Sequence, residues 1–119
     1  ETNPAAYLPD LARSLNNYAN HFSEVGQRQE ALDPARRAVE ICEGLAETNP
    51  AAYLPGLATS SYNLALHLEE TGDLEGAIER AARAAQLYDQ LAENLPQRFS
   101  DNQRDAHQLL DRLKAAAGQ

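Results

Sequence analysis

The chain has 119 residues, a formal net charge of −8 and a single cysteine, Cys42. This length allows one domain with a modest core, and the negative charge argues against nucleic-acid and anionic-membrane surfaces, which need clustered Lys and Arg. The lone cysteine excludes an internal disulfide and a cysteine-based metal cage, which fits a reducing compartment. With no apolar run of roughly 18 residues and no secretory leader before Pro4, we expect a soluble, cytoplasmic protein.

The sequence is an internal repeat with a period of 46 residues. The nine residues Glu-Thr-Asn-Pro-Ala-Ala-Tyr-Leu-Pro occupy positions 1–9 and return unchanged at 47–55, and Pro96 marks an eroded third copy. A fixed period of roughly 20–50 residues is typical of solenoids, in which a unit buries its apolar face against its neighbours. The predicted units are a first repeat at 1–46, a second repeat at 47–95, and a final segment at 96–119.

The first unit is predicted to be a helical hairpin. Its first helix should begin at Pro9, because proline is favoured at the first helical position, and it should end at Gly26. A second helix follows from near Arg28 to Ala46, with apolar residues three and four positions apart. Pro34 removes a backbone donor near the start of this helix, so we expect the helix to start late or to kink.

The second unit repeats this hairpin 46 residues later. Its first helix is expected to run from Pro55 to Gly72, and Asp73 should cap the start of the return helix. The Asn-Pro-Ala-Ala-Tyr segments at 3–7 and 49–53 are then connectors, either irregular or a single turn capped by the asparagine.

The final segment is predicted to be one more helix. A capping box at Ser100–Gln103 should start it, and Gly118 should end it. Its single apolar stripe is typical of a terminal cap, whereas the apolar edge of the first hairpin has no cover. We therefore predict an all-α protein, an α-solenoid of two helical hairpins plus a C-terminal capping helix.

A family resemblance rests on small residues at Gly26, Ala31 and Ala38, and again at Gly72, Ala77 and Ala84. These resemble the small-residue positions of tetratricopeptide repeats, although that family's period is about 34 residues. The segment Pro-Asp-Leu-Ala-Arg-Ser-Leu-Asn-Asn-Tyr-Ala at 9–19 also resembles the first helix of kinesin light chain repeats, and 55–58 and 63–65 keep part of it. The resemblance covers 9–95 and implies a right-handed superhelix whose first helices line a concave peptide-binding groove.

By this resemblance, the groove residues are Arg13, Asn16, Asn17, Asn20 and Glu24 from the first unit, Thr59, Tyr62, Asn63, Leu66 and Glu70 from the second, and Asp105, Gln108, Leu109 and Arg112 from the last helix. Asparagine suits such a groove because its amide can pair with any peptide backbone. The alternative is that Asn16 and Asn17 serve contacts between units or bind water.

A clamp for a peptide's terminal carboxylate, as in chaperone-binding members of the family, is rejected. Asn20 and Asn63 match its asparagines, but Asn16, Asp105 and Leu109 stand where it needs cations, and Asp105 would repel a carboxylate. Together with Glu24, Glu69 and Glu70, this predicts a neutral or basic ligand.

No catalytic chemistry is expected. His21 and His67 are one period apart, each three residues before a glutamate, but duplication alone explains this arrangement, so we expect neither a metal nor another cofactor. Cys42 is interpreted as a small core residue. The first hypothesis is a scaffold that binds a peptide or protein segment. The alternative is a self-assembling architectural fragment, a homodimer or domain-swapped form, joined through the uncovered first hairpin.

Overall fold

The computed structural model describes residues 4–118 of the chain. These residues form five helices and no strand, which confirms the all-α prediction. The helices are α1 (Pro4–Glu24), α2 (Leu32–Thr48), α3 (Pro50–Glu70), α4 (Leu74–Asn94) and α5 (Pro96–Ala116). None of the five has the length and hydropathy that a membrane span requires.

The first helix of each repeat begins at the proline of the Asn-Pro pair. α1, α3 and α5 are each 21 residues long, and their starts at Pro4, Pro50 and Pro96 are 46 residues apart. The predicted starts at Pro9 and Pro55 are therefore wrong, because both prolines lie inside helices. Of the segments predicted as connectors, residues 4–7 and 50–53 are the first turns of α1 and α3.

The early start of α3 has a local cause, because the Asn49 cap and Pro50 act together at the N-terminus of the helix. The Asn49 side chain accepts a hydrogen bond from the backbone N–H of Ala52 at 3.3 Å, and Pro50 holds the first helical position, where its missing N–H costs nothing. Pro55 at the sixth position leaves only the carbonyl of Ala51 without a helical partner, and Ala51 is exposed to water. The expected cap at Asn3 lies outside the described residues.

α5 also begins earlier than predicted. Ser100 does not cap it but lies inside the helix, and its hydroxyl donates to the carbonyl of Pro96. The predicted capping box at Ser100–Gln103 is therefore wrong. The helix starts follow the 46-residue period even where the sequence similarity has faded.

Other local predictions are confirmed. Gly26 and Gly72 have φ angles of 84° and 91°, a left-handed conformation that glycine adopts without strain, directly after α1 and α3. The side chain of Asp73 caps α4 by accepting from the N–H of Gly76 at 2.9 Å. α2 starts late, at Leu32, because Pro34 is tolerated only in the first turn.

Consecutive helices pack against each other along the chain. α2 and α3 are antiparallel, with Cys42 Sγ 3.6 Å from Ser60 Oγ. α1 and α3 run side by side in the same direction, since Asn16 bonds Ser60 and Ser23 bonds Glu70. α1, α3 and α5 thus form one layer, and α2 and α4 form the other. The packing fits a helical repeat, while the right-handed superhelix stays a prediction.

One residue joins each repeat to the next. Asn49 between α2 and α3 has φ −146° and ψ 77°, and Leu95 between α4 and α5 has φ −134° and ψ 67°. These conformations are nearly equal although the residues differ. The backbone conformation of the joining residue therefore repeats every 46 residues, as the sequence does.

The core between the layers consists mainly of alanine and leucine, which lets the helices approach closely. Ala19, Ala58, Leu64 and Ala81 are fully buried. This packing explains why the second helices of both units are rich in alanine.

Candidate functional site

The layer of α1, α3 and α5 has a solvent-facing side that α2 and α4 do not cover, and we call it the inner face. A depression of about 550 Å³ opens on it, where the N-terminal halves of the three helices meet above Cys42 and Leu45 of α2. Its polar lining consists of Arg13, Asn16, Thr59, Ser60, Arg98 and Asn102, and its apolar lining includes Pro9, Ala12, Tyr53, Pro55 and Phe99. The structure thus brings together three of the predicted groove residues, Arg13, Asn16 and Thr59.

A second, smaller depression of about 260 Å³ lies between α3 and α5. It is lined by Tyr62, Asp105, Gln108, Leu109 and Arg112, all of which the resemblance assigned to the groove. Burial, and then the Asp105 carboxylate, raise the pKa of the Tyr62 hydroxyl, so this phenol stays protonated and can donate a hydrogen bond.

Asn16 makes a contact between the two repeat units, as the alternative interpretation predicted. Its amide nitrogen donates to Ser60 Oγ at 3.0 Å, and Ser60 in turn meets Cys42 Sγ at 3.6 Å. The oxygen Oδ1 of Asn16 is buried without a hydrogen-bond partner. Asn16 therefore ties the first repeat to the second and keeps one acceptor beside the larger depression.

The other asparagines have different surroundings. Asn17 and Asn20 are exposed on α1, and Asn63 is half-buried on α3. Leu66 is partly buried and packs against the core, so its main role is structural. Of the predicted groove amides, Asn17 and Asn20 are thus fully accessible to solvent and Asn63 is partly accessible.

Glu24 and Glu70 lie at the C-terminal ends of α1 and α3. Glu24 is exposed, while Glu70 Oε1 accepts a hydrogen bond from Ser23 at 2.6 Å and lies 3.5 Å from His67 Nδ1. His67 is only 4% exposed, whereas its repeat counterpart His21 is exposed. Among residues 4–118, no three His, Cys, Asp or Glu side chains cluster so as to hold a metal ion.

The buried side chain of Tyr88 reaches from α4 to Thr59, which lines the larger depression. Thr59 Oγ1 and the hydroxyl of Tyr88 are 2.9 Å apart, and burial raises the pKa of Tyr88 despite this hydrogen bond. Tyr88 also packs against Phe99, with ring centroids 6.4 Å apart. Tyr88 of α4 thus contacts Thr59 and Phe99, two residues that line the larger depression.

Cys42 is a core residue, as predicted. It is 7% exposed, and burial raises the pKa of its thiol, while the hydrogen bond with Ser60 acts weakly in the opposite sense. A protonated, buried thiol is a poor nucleophile. Nothing about its surroundings indicates catalytic chemistry.

Sequence reasoning missed Arg98 and Asn102 as residues of the larger depression. The Arg98 guanidinium lies 4.9 Å from the centroid of the Phe99 ring, and Arg13 pairs with Asp10 at 3.2 Å. The lining contains these two arginines and no carboxylate. Arg98 was missed because the last helix was expected to begin at Ser100; the 46-residue period applied to helix starts would have included it.

A separate cluster joins α4 to α5 outside the inner face. Asp89 Oδ1 accepts from Gln103 Nε2 at 2.8 Å and lies 2.9 Å from His107 Nε2. These two hydrogen bonds, that of Gln103 first, lower the pKa of the Asp89 carboxyl. The cluster fixes α5 against α4 rather than forming part of the groove.

Similarity to known proteins adds no independent guide to a ligand. No family model, curated protein or solved structure matches this chain.

Proposed function

We propose that the chain is a protein-protein interaction module, a tetratricopeptide-like scaffold that binds a peptide or protein segment on the inner face. The observation that supports this most is the larger of the two depressions on the inner face, about 550 Å³ in volume, which residues of α1, α2, α3 and α5 line. Ligand sites are concave and mostly apolar, with a few polar groups that fix orientation. The combination of Tyr53 and Phe99 with Asn16 and Asn102 meets this description.

Side-chain amides on α1 support a ligand with an extended backbone. The Asn16 nitrogen is occupied by Ser60 and its oxygen is buried, so the accessible amides of this helix are those further along it. The exposed amides of Asn17 and Asn20 continue along the same helix and can pair with both donors and acceptors of an extended peptide.

The charge of the inner face supports a neutral or basic segment near the ends of α1 and α3. Glu24 and Glu70 are exposed there, and Asp105 is exposed on α5. A lysine or arginine of the ligand would gain from these carboxylates, whereas a glutamate would be repelled. The two arginines at the opposite end carry hydrogen-bond donors for ligand carbonyls.

The test is selection of a phage-displayed library of random dodecapeptides on the immobilised chain, followed by fluorescence polarisation with the selected peptides. Asn17→Ala combined with Asn63→Ala should weaken the affinity for the peptide about thirtyfold, since two lost hydrogen bonds of about 1 kcal/mol each add up to about 2 kcal/mol. The melting temperature should change by less than about 3 °C.

Gln90→Ala is the matched control, because Gln90 is exposed on α4, outside the inner face. It should leave the affinity unchanged. Equal affinities for the asparagine double variant and for Gln90→Ala, or a failure to enrich any peptide, would contradict the proposal. Loss of helicity in the double variant would instead assign these asparagines to the fold.

A further inference from the structure

The smaller depression on the inner face contains one charge that the fold does not use. Arg112 lines this depression, but its guanidinium donates a hydrogen bond to the carboxylate of Glu69 on α3. Asp105 also lines it and is exposed, and it takes part in none of the ion pairs among residues 4–118. Two carboxylates and one guanidinium leave this group with a net charge of −1, which Asp105 carries.

The side chains around Asp105 fit both parts of a lysine or arginine. Such a side chain has an apolar stem and a charged head. Leu109, which is only 3% exposed, gives the depression an apolar surface for the stem, and the half-buried Tyr62 lines its α3 side. The Asp105 carboxylate and the side-chain oxygen of Gln108 are acceptors for the head.

The repeat shows that this charge is specific to the crevice between α3 and α5. In the corresponding crevice between α1 and α3, Thr59 stands 46 residues before Asp105, and its hydroxyl lies 2.9 Å from that of Tyr88. Asn16 takes the place of Tyr62 there, and its amide nitrogen donates to α3. The polar groups of that crevice are neutral and bonded within the fold, whereas Asp105 is charged and unpaired.

The two depressions have a spacing that one extended segment can span. On α5, residues within 98–102 line the larger depression and residues within 105–112 line the smaller one. The midpoints of these stretches are about eight residues apart, or roughly 12 Å at 1.5 Å per residue. An extended chain advances about 3.3 Å per residue and returns its side chains to the same face at every second residue. Two side chains four residues apart can therefore enter both depressions.

We propose that the ligand of the inner face is an extended segment that places a lysine or arginine in the smaller depression and a large apolar side chain, four residues away, in the larger one. The proposal rests on the function proposed above and adds the chemistry and spacing of the two anchors. The unpaired Asp105 carboxylate attracts a cation and accepts its hydrogen bonds. Tyr53 and Phe99 line the larger depression, and its lining contains no carboxylate that would attract a second cation.

The peptides selected from the random dodecapeptide library provide the first test. Their sequences should be enriched in pairs of a large apolar residue and a lysine or arginine four positions apart. Enriched peptides without a basic residue, or with a glutamate in its place, would refute this inference while leaving the proposed function intact. If no peptide is enriched, the proposed function fails and this inference fails with it.

Fluorescence polarisation then tests the contact with Asp105. Replacing the basic residue of a selected peptide with glutamine should weaken its affinity about fivefold, and Asp105→Asn should do the same. Because both changes remove the same ion pair, combining them should weaken the affinity no more than either alone. Asp105→Lys should bind a form of the peptide with glutamate at this position within about twofold of the original affinity.

Asp111→Asn is the matched control, since Asp111 is exposed on the same helix and lines neither depression. It removes the same charge and should change the affinity less than twofold. Both asparagine variants should melt within about 2 °C of the wild type, because both residues are exposed. Equal effects of Asp105→Asn and Asp111→Asn, or additive effects of Asp105→Asn and the glutamine peptide, would overturn the proposal.

Discussion

Replacing Pro55 with alanine should stabilise the protein, because Pro55 occupies the sixth position of α3. In a helix interior, proline is about 3 kcal/mol less favourable than alanine, since it lacks an N–H and crowds the carbonyl four residues earlier. Two effects oppose this gain. Proline restricts the unfolded chain by about 0.4–1 kcal/mol, and its half-buried ring contributes about 0.5–1 kcal/mol of apolar burial. The net expectation is a gain of about 1–2 kcal/mol.

Urea unfolding and thermal melting, both followed by circular dichroism, measure this change. For a chain of this length the melting temperature should rise by about 4–8 °C. Pro50→Ala is the comparison, because Pro50 stands at the first position of the same helix; it should cost less than about 1 kcal/mol by losing a preset φ angle. If Pro55→Ala is less stable than the wild type, α3 begins at Pro55 in solution and the helix start described above is refuted.

Two further predictions concern the pH dependence of stability and the reactivity of the thiol. The folded pKa of Asp89 is lowered by Gln103 and His107, so its carboxylate stabilises the fold above the unfolded pKa of about 3.9 and this contribution is lost as the pH falls through the folded pKa. Asp89→Asn should therefore lower the melting temperature by about 1–3 °C at pH 6 and less towards pH 2; a difference independent of pH would contradict this. Burial raises the pKa of the Cys42 thiol. The thiol should therefore react with an aromatic disulfide reagent at pH 8 at least ~100-fold more slowly in the native chain than in the urea-unfolded chain. Rapid labelling of the native chain would place Cys42 at the surface.

Local rules predicted much of the fold because they depend on few neighbouring residues. The left-handed glycines at 26 and 72, the Asp73 cap and the delay caused by Pro34 are of this kind. The starts of the first helices were mispredicted because two prolines within six residues can each start a helix. Starting at Pro50 gains the Asn49 cap, and this gain exceeds the cost of the one hydrogen bond that Pro55 removes, since the freed carbonyl can bond to water. The 46-residue period, applied to helix starts, would have favoured Pro50.

The relative placement of the candidate groove residues was predictable where it depends on the face of a single helix. Tyr62 and Asp105 were both placed on the inner face, and the structure brings them together in one depression. The role of Asn16 could not be predicted, because its bond to Ser60 depends on how one repeat sits against the next. Arg98 was missed for a different reason, since the error in the start of α5 left it outside any helix.

The one-residue joints at Asn49 and Leu95 have a mechanical consequence. A single residue joins α2 to α3, and another joins α4 to α5, so these joints cannot lengthen. Any tilt of α2 is therefore passed on to α3, and any tilt of α4 to α5. The longer turn between α1 and α2, at 25–31, can absorb strain or an inserted loop without moving its neighbours. Stiff one-residue joints therefore alternate with longer, more compliant turns along the chain. Engineered insertions belong in the turn at 25–31 rather than at the joints.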